Sequence, residues 1–470
     1  MDIDDLVLSE NYNDRISSIE SPVYLVGDLG ATNFRLAAAA MQNGKPKILA
    51  KVDYDTAKID GEITGGLSII DIIEDFGRRA KNHGISEFKA AVLAPAGPVL
   101  DNGQSCRISQ RDNIEVKIRD LYSYGISKAM IINDFGAIGY ALPYIDYKNT
   151  QEAACLQKGT DPENIEVIGC IGPGTGLGAV STQSEKYPDE LVAEKSMVCL
   201  SEIFGRLYQY FPNFLQKRIK KSIQKELNKK KLVLPRPCEG GHIPASVSNH
   251  GIEQLINNLI TDYRTDELDE KVISLEYEDF VSARGIGNIS RAYKEIIKTN
   301  IFRTLFNKVP LREWKNMLEE IWNLKRDYRQ NKEEYEKLFG IIDEKVRNNE
   351  ITQIGSEIGE YNRGDLLLVD RTLDLFFEMY GRAARDAIMA QGPDLMLLAG
   401  GIAGKYIGSD EKGEQKAHHE HYVGLFQKGL MKNPVSRNNY TKNIPIYQII
   451  NPDIGLIGCT LAAHELAGYD

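Results

Sequence analysis

Asp28 and Asp134 are the two carboxylates whose surroundings could do chemistry. Each is framed by residue types that meet phosphate or hydroxyl groups. Asp28 belongs to residues 23–40, VYLVGDLGATNFRLAAAA. The apolar run 23–26 reads as a buried strand, 27–33 as a tight turn, and 34–40 as a second strand. Gly27 and Gly30 allow a sharp bend and a close approach to a ligand. A carboxylate at the mouth of such a hairpin can hold Mg2+ or its waters. Thr32 and Asn33 offer a hydroxyl, an amide and backbone N–H groups to phosphate oxygens. An ordinary hairpin turn of Asp, Gly and Asn is the competing reading.

Asp134 follows the apolar strand 129–132, with Asn133 beside it and a helix expected over about 136–142. The carboxyl end of a buried strand is where open α/β sheets place ligand-contacting groups. A carboxylate there can take the proton of a substrate hydroxyl. The alternative is a helix N-cap, a common position for Asn and Asp.

Residues 166–180, EVIGCIGPGTGLGAV, repeat the pattern of the first hairpin, with 25–30 matching 167–172 as strand, glycine turn, strand. Gly174, Thr175 and Gly176 of the second copy can turn backbone N–H groups toward an anion. Only the first copy carries an aspartate, so one turn suits metal and phosphate and the other phosphate alone.

Positioning these groups requires strands alternating with helices. A third strand is expected at 46–53, a helix at 69–82 and a strand at 88–93, which together imply an α/β domain with a mixed sheet. Later come a long helix at 366–390, a strand at 395–403 running into Gly400-Gly401, and a strand at 444–450 followed by a helix. Residues 184–234 carry aromatics and a lysine run at four-residue spacing, which reads as a surface insertion with a basic helical face. Residues 301–353, with Trp314, Trp322, Tyr328 and Tyr335, read as a second insertion, packing on itself or on another subunit. His418, His419 and His421 with Glu420 fall in a polar stretch and read as a solvated loop rather than a metal site.

Composition narrows the partners. Of 470 residues, 42% are apolar and 26% charged, an ordinary globular balance with room for two or three cores. A net charge of −10 argues against nucleic-acid or anionic-membrane binding, and no apolar run reaches transmembrane length. The acidic residues 1–22 read as a loosely ordered tail, not a targeting peptide. Six cysteines without paired spacing point to a reducing, cytoplasmic setting.

Taken together, GDLGATNFR, INDF, GPGTGLG, EGGH, YEDFVSARG, LAGGIA and NPDIGLIG, in that order, resemble the bacterial-type glucokinase family of ATP-dependent sugar kinases. The resemblance implies an α/β fold: two domains of duplicated ribonuclease-H-like, actin-like ATPase architecture with a cleft between them. It assigns 23–143 plus 452–470 to a small domain and 144–451 to a large one with two helical insertions. By position, Asp134 matches the catalytic base and Asn133 a sugar contact. Glu239, His242 and Glu278 match sugar-hydroxyl ligands. Asp28, Gly30, Thr32 and Asn33 match the first phosphate motif, Gly174, Thr175 and Gly176 the second, and Gly400 and Gly401 the adenosine turn. The implied cofactors are ATP and Mg2+, the latter held by Asp28 directly or through water.

The implied reaction forms glucose 6-phosphate for glycolysis in the cytoplasm, with a homodimer as a family expectation. Kinases for mannose, fructose or an amino sugar, and a sugar sensor of the same fold, are the rival readings. Departures from the family pattern fall at Gly30-Ala31, Ile243-Pro244-Ala245 and Ser282-Ala283-Arg284-Gly285, and bear on sugar preference more than on phosphoryl transfer.

Overall fold

The computed structural model describes residues 7–12, 21–30, 33–55, 68–85, 87–100, 103–108, 111–123, 125–162, 164–186, 217–219, 221, 231–238, 242–246, 251–268, 272, 274–299, 314–348, 350–408, 418–432 and 438–468. Thr32 and Glu239, and most of 187–230, lie outside them.

Two six-stranded sheets organise the chain. The first contains β1 (Val7–Tyr12), β2 (Val23–Leu29), β3 (Asn33–Gln42), β4 (Lys45–Asp55), β5 (Ala90–Pro95) and β9 (Ala129–Ile131), ordered β1-β4-β3-β2-β5-β9. A small sheet of β6 (Val99–Leu100), β7 (Ser105–Ile108) and β8 (Arg111–Lys117) lies between β5 and β9 in sequence. The second large sheet contains β10 (Ala153–Gln157), β11 (Val167–Pro173), β12 (Leu177–Lys186), β13 (Lys231–Cys238), β14 (Leu395–Leu398) and β15 (Ile446–Ile449), ordered β10-β15-β14-β11-β12-β13. Both share one topology. A three-strand antiparallel meander (β2-β3-β4; β11-β12-β13) is continued by two parallel strands beside its first member (β5 and β9; β14 and β15). The repeat legible at 25–30 and 167–172 is therefore part of a duplicated five-strand unit; the sixth strands differ, β1 joining the meander edge of the first sheet and β10 the opposite edge of the second.

The helices follow from their apolar spacing and caps. α1 (Ile69–Asn82) starts at a capping box of Ser68 and Asp71 and buries Ile69, Ile72, Ile73, Phe76 and Ala80 on the first sheet. α2 (Ile118–Ser123) and α3 (Asp134–Ala141) flank β9. Beside the second sheet stand α4 (Gly251–Leu268), α5 (Ala283–Lys298), α6 (Trp314–Gln330), α7 (Lys332–Arg347), α8 (Ile351–Ile358) and α9 (Leu367–Gln391), which share one large core with the sheet. α10 (Gly401–Tyr406), α11 (His419–Leu430), α12 (Asn438–Asn443) and α13 (Ile454–Ala467) complete the chain.

Two of these helices join the sheets. α3 leaves β9 of the first sheet and packs on β12 and β13 of the second. α13 leaves β15 of the second sheet and packs on β2 and β5 of the first. They meet so closely that a side chain at Gly458 would lie 1.7 Å from the Ala137 carbonyl. Residues 28 and 134 both lie beside this crossing.

Several expectations are corrected. Residues 7–12 are not part of a loose tail: β1 pairs antiparallel with β4 at the sheet edge. The first turn is shorter than 27–33, because Gly27, Asp28 and Leu29 remain in the ladder, Asp28 opposite Arg35. The strand at 395 ends at Leu398, since Gly401 already opens α10. The first insertion is narrower than 184–234, because its ends belong to β12 and β13. Pro235 and Pro237 are tolerated in β13 because it is an edge strand. The histidine stretch is the start of α11 and not a loop: His419 is buried, accepting from the Gly408 N–H through Nδ1 at 2.9 Å, and His421 Nε2 lies 2.8 Å from Asp374. In the second insertion the aromatics pack on each other, Tyr328 and Tyr335 edge to face at 5.6 Å, with Trp322 exposed. Among the described residues no helix is long and apolar enough to cross a membrane.

Candidate functional site

The β11–β12 hairpin is the hub of the site. Gly178 leaves room on it for Phe135, whose ring would lie 2.0 Å from any Cβ at that position. Pinning Phe135 to the second sheet holds its neighbour, Asp134, at the junction with the first. Asn133 is the cap of α3: its Oδ1 accepts from the N–H of Phe135 at 3.0 Å and of Gly136 at 3.2 Å, while its Nδ2 donates to the Gly97 carbonyl at 3.3 Å. The helix thus begins at Asp134, two residues before the expected start. With Asn133 capping, the Asp134 carboxylate accepts from the Phe135 N–H at 2.9 Å, and its own N–H and the Asn133 side chain also stabilise its charged form.

Electrostatics separate Asp134 from an ordinary surface acid. Burial raises its pKa to about 7. The backbone N–H of Phe135 pulls against that rise and the charge of Asp28 adds to it. A carboxylate poised near neutrality matches what a general base needs. Asp28 is raised as well, chiefly by burial, with Arg35 opposing and Asp453 adding repulsion. Its side chain is 24% exposed and lies 3.6 Å from the Arg35 guanidinium. Arg35 in turn donates to the Pro452 carbonyl at 2.9 Å, and Lys51 pairs with Asp453 at 2.9 Å. These contacts tie the β3–β4 edge to the turn that opens α13. At Gly455 a Cβ would stand 3.1 Å from the Asp28 carboxylate.

The turn of the hub reaches the other acids. Glu278 Oε2 accepts from the Leu177 N–H at 3.1 Å and lies 2.6 Å from where a Cβ of Gly176 would be. The Gly174 carbonyl accepts from the Ala283 N–H at 2.9 Å, where α5 begins under its Ser282 cap. Gly400, at φ +94°, presses on the Pro173 carbonyl, 2.3 Å from a Cβ position, so only glycine fits there. Gly401 has open space.

His242 arrives by strand pairing. Pro244 bridges Glu276 antiparallel, the Ala245 N–H donates to the Leu275 carbonyl at 2.8 Å and the Tyr277 N–H to Ile243 at 3.0 Å. Residues 243–245 and 275–277 are thereby brought side by side. His242 Nδ1 lies 2.6 Å from Glu276 Oε2. Glu276 is a residue that motif reading passed over; its signal was the alternation of acids in LEYED, one on each side of Tyr277.

Of the sequence-expected residues, Asp28 lies in β2, Asn133 and Asp134 at the start of α3, Gly174, Thr175 and Gly176 in the β11–β12 turn, Glu278 against that turn, His242 beside Glu276, and Gly400 and Gly401 at the start of α10. Gly30 closes β2, and Asn33 opens β3, with its backbone described. Thr32 and Glu239 lie outside the described residues. Among the described residues no group of three or more His, Cys, Asp or Glu could hold a metal. The fit for a hard divalent cation is one partly exposed carboxylate, Asp28, whose mutual repulsion with Asp134 and Asp453 a bound cation would relieve. That suits Mg2+ arriving with its waters and a phosphate chain.

Comparisons with known proteins identify the family and the fold. A family model described as Glucokinase matches residues 25–199 and 225–466. The glucokinase of Nostoc punctiforme is 26% identical over 447 residues, 94% of this chain and 99% of that protein. The glucokinase of Caulobacter vibrioides strain NA1000 is 30% identical over 157 residues; this match spans 33% of the chain and 42% of that relative. Among solved structures, glucokinase from Balamuthia mandrillaris in complex with glucose aligns with a TM-score of 0.61 at 16% identity, over 96% of each chain. Glucokinase from an Antarctic psychrotroph aligns at 0.53 and 16% identity, over 94% of this chain and 99% of its own. These structural matches carry the two-domain, actin-like fold.

Proposed function

The chain belongs to the glucokinase family, and from that membership we propose that it transfers the γ-phosphoryl group of ATP to the 6-hydroxyl of glucose in the cytoplasm. The observation that carries the reading is Asp134 itself. It sits at the carboxyl end of β9, raised to about 7, and is tied through Phe135 to the glycine hairpin that also binds Glu278.

A hexose presents a ring of hydroxyls, and each must meet a partner or lose binding energy. Glu278 and His242, with Glu239, supply acceptors and donors for that ring, and Asn133 contributes beside the base. Asp134 orients the 6-hydroxyl and takes its proton as oxygen O6 forms its bond to the γ-phosphorus and the bond to the β–γ bridging oxygen breaks. ADP leaves with the bridging electrons. The N–H groups around Gly30–Asn33 and those of Thr175 and Gly176 receive the equatorial oxygens as charge spreads over them, while the Gly174 N–H closes the turn on the Gly176 carbonyl at 2.8 Å. Gly400 and Gly401 face the nucleoside. When bound, Mg2+ neutralises the β- and γ-phosphate charge, with Asp28 holding it or its waters. Glucose 6-phosphate, a substrate of glycolysis, is the product.

Coupled ADP release with MgATP across a panel of hexoses tests the reading. Turnover that depends on glucose is expected. Preference for mannose, fructose or an amino sugar would move the substrate while keeping the chemistry. Sugar binding without turnover on any hexose would make the chain a sensor and overturn the proposal.

A further inference from the structure

The pairing of His242 with Glu276 has a chemical consequence for how a sugar hydroxyl is read. A carboxylate only accepts hydrogen bonds, so the 2.6 Å contact between Glu276 Oε2 and His242 Nδ1 requires the ring proton on Nδ1. In the neutral ring the lone pair then falls on Nε2, which becomes an acceptor for a hydroxyl. Glu276 is itself held firmly. Its side chain accepts from the Asp279 backbone N–H, its own N–H donates to Asp279 Oδ2 at 2.9 Å, and Asp279 is anchored by Arg264 Nε at 2.9 Å. The two acids flanking Tyr277 serve different partners: Glu278 reaches the glycine hairpin and Glu276 reaches the histidine.

We infer that Glu276 is a positioning residue for sugar recognition: it fixes the Nδ1–H tautomer and the orientation of His242, so that Nε2 accepts a hydrogen bond from the sugar. This rests on the sugar-kinase reading above. Glu276 acts through the ring and touches no reacting atom.

The test joins a spectrum to kinetics. Imidazole 15N NMR, with His242 assigned by His242→Gln, is expected to show the proton on Nδ1 in the wild type. In Glu276→Gln the amide oxygen stays on the Asp279 N–H, its NH2 faces the ring, and the proton moves to Nε2. Glu276→Gln raises the KM for glucose about tenfold, the scale of one hydrogen bond at a polar site, with kcat and the KM for MgATP nearly unchanged. In the His242→Gln background the same substitution adds nothing, as a double-mutant cycle requires of residues acting in series. An unchanged tautomer in Glu276→Gln, or an equal KM rise without His242, overturns the inference. Should no hexose be turned over by the wild type, the kinase reading fails on its own, and the nitrogen spectrum still decides whether Glu276 sets the tautomer.

Discussion

Two adjacent side chains, Asn133 and Asp134, divide the roles of helix cap and base. Asn133 takes the capping role, and Asp134 keeps a carboxylate raised to about 7 by burial. The protein should therefore show an acid limb near pH 7 in log kcat/KM for glucose, since protonation removes the base. A limb near pH 4 would contradict this. The stability sign runs the other way. A carboxyl whose folded pKa lies above its unfolded value favours the fold at low pH, and that contribution is lost as pH rises from about 4 through about 7. Asp134→Asn should accordingly raise the melting temperature at pH 8 and leave it unchanged at pH 4. Equal shifts at both pH values would mean that ionisation is not the cause. Sequence spacing placed Asp134 at a strand end but, taken alone, favoured a helix cap over a base, because Asn and Asp are both good caps. The three-dimensional choice between two adjacent side chains lies in which one reaches the Gly136 N–H. Glu276 was hidden for a similar reason: its partner is 34 residues away and is found only through the pairing of 242–246 with 275–277.

Among elements, the β11–β12 hairpin and α9 do the positioning. Gly178→Ala puts a methyl into the Phe135 ring, and overpacking of this kind costs about 1–3 kcal/mol. Denaturant midpoint and turnover should fall together; a stable, fully active variant would show that the hairpin does not hold the base. α9 is anchored by Arg382, buried at 1% exposure, which pairs with Glu253 of α4 and with Glu378 of its own helix. Burial pushes Glu378 up, but hydrogen bonds from Lys428, Lys432 and Arg382 outweigh that and bring it to about 2. Arg382→Ala leaves the buried Glu378 and the part-buried Glu253 short of a partner, so a loss of about 3–5 kcal/mol in unfolding free energy is expected. A loss below about 1 kcal/mol, the range of exposed pairs, would show that the lysines suffice. The interior of the fold was legible where periodicity is strong. α1 spans the expected 69–82, and α9 lies within a residue of its expected 366–390 at each end. Edges were not legible, because β1 is exposed along most of its length and joins the sheet only through its ladder with β4.

For the whole molecule, one sheet carries Asp28, the other carries the Glu278 contact, and α3 and α13 cross between them. The ordered motifs showed that two related units exist. The strand order shared by five strands of each sheet, which no motif states, shows the extent of the duplicated unit, to which β1 and β10 are added on opposite edges. We propose that glucose, bridging groups from both sheets, draws them together and excludes water from the phosphate. Small-angle scattering should show a smaller radius of gyration with glucose than without; identical curves at saturating sugar would rule out closure. The most direct test of the central claim is turnover of Asp134→Asn beside wild type, with glucose binding measured by calorimetry on both. Retained binding is expected, with kcat lowered by about 10²–10⁴-fold, the usual contribution of a general base. Near-normal turnover in a variant that binds glucose would show that Asp134 is not the base.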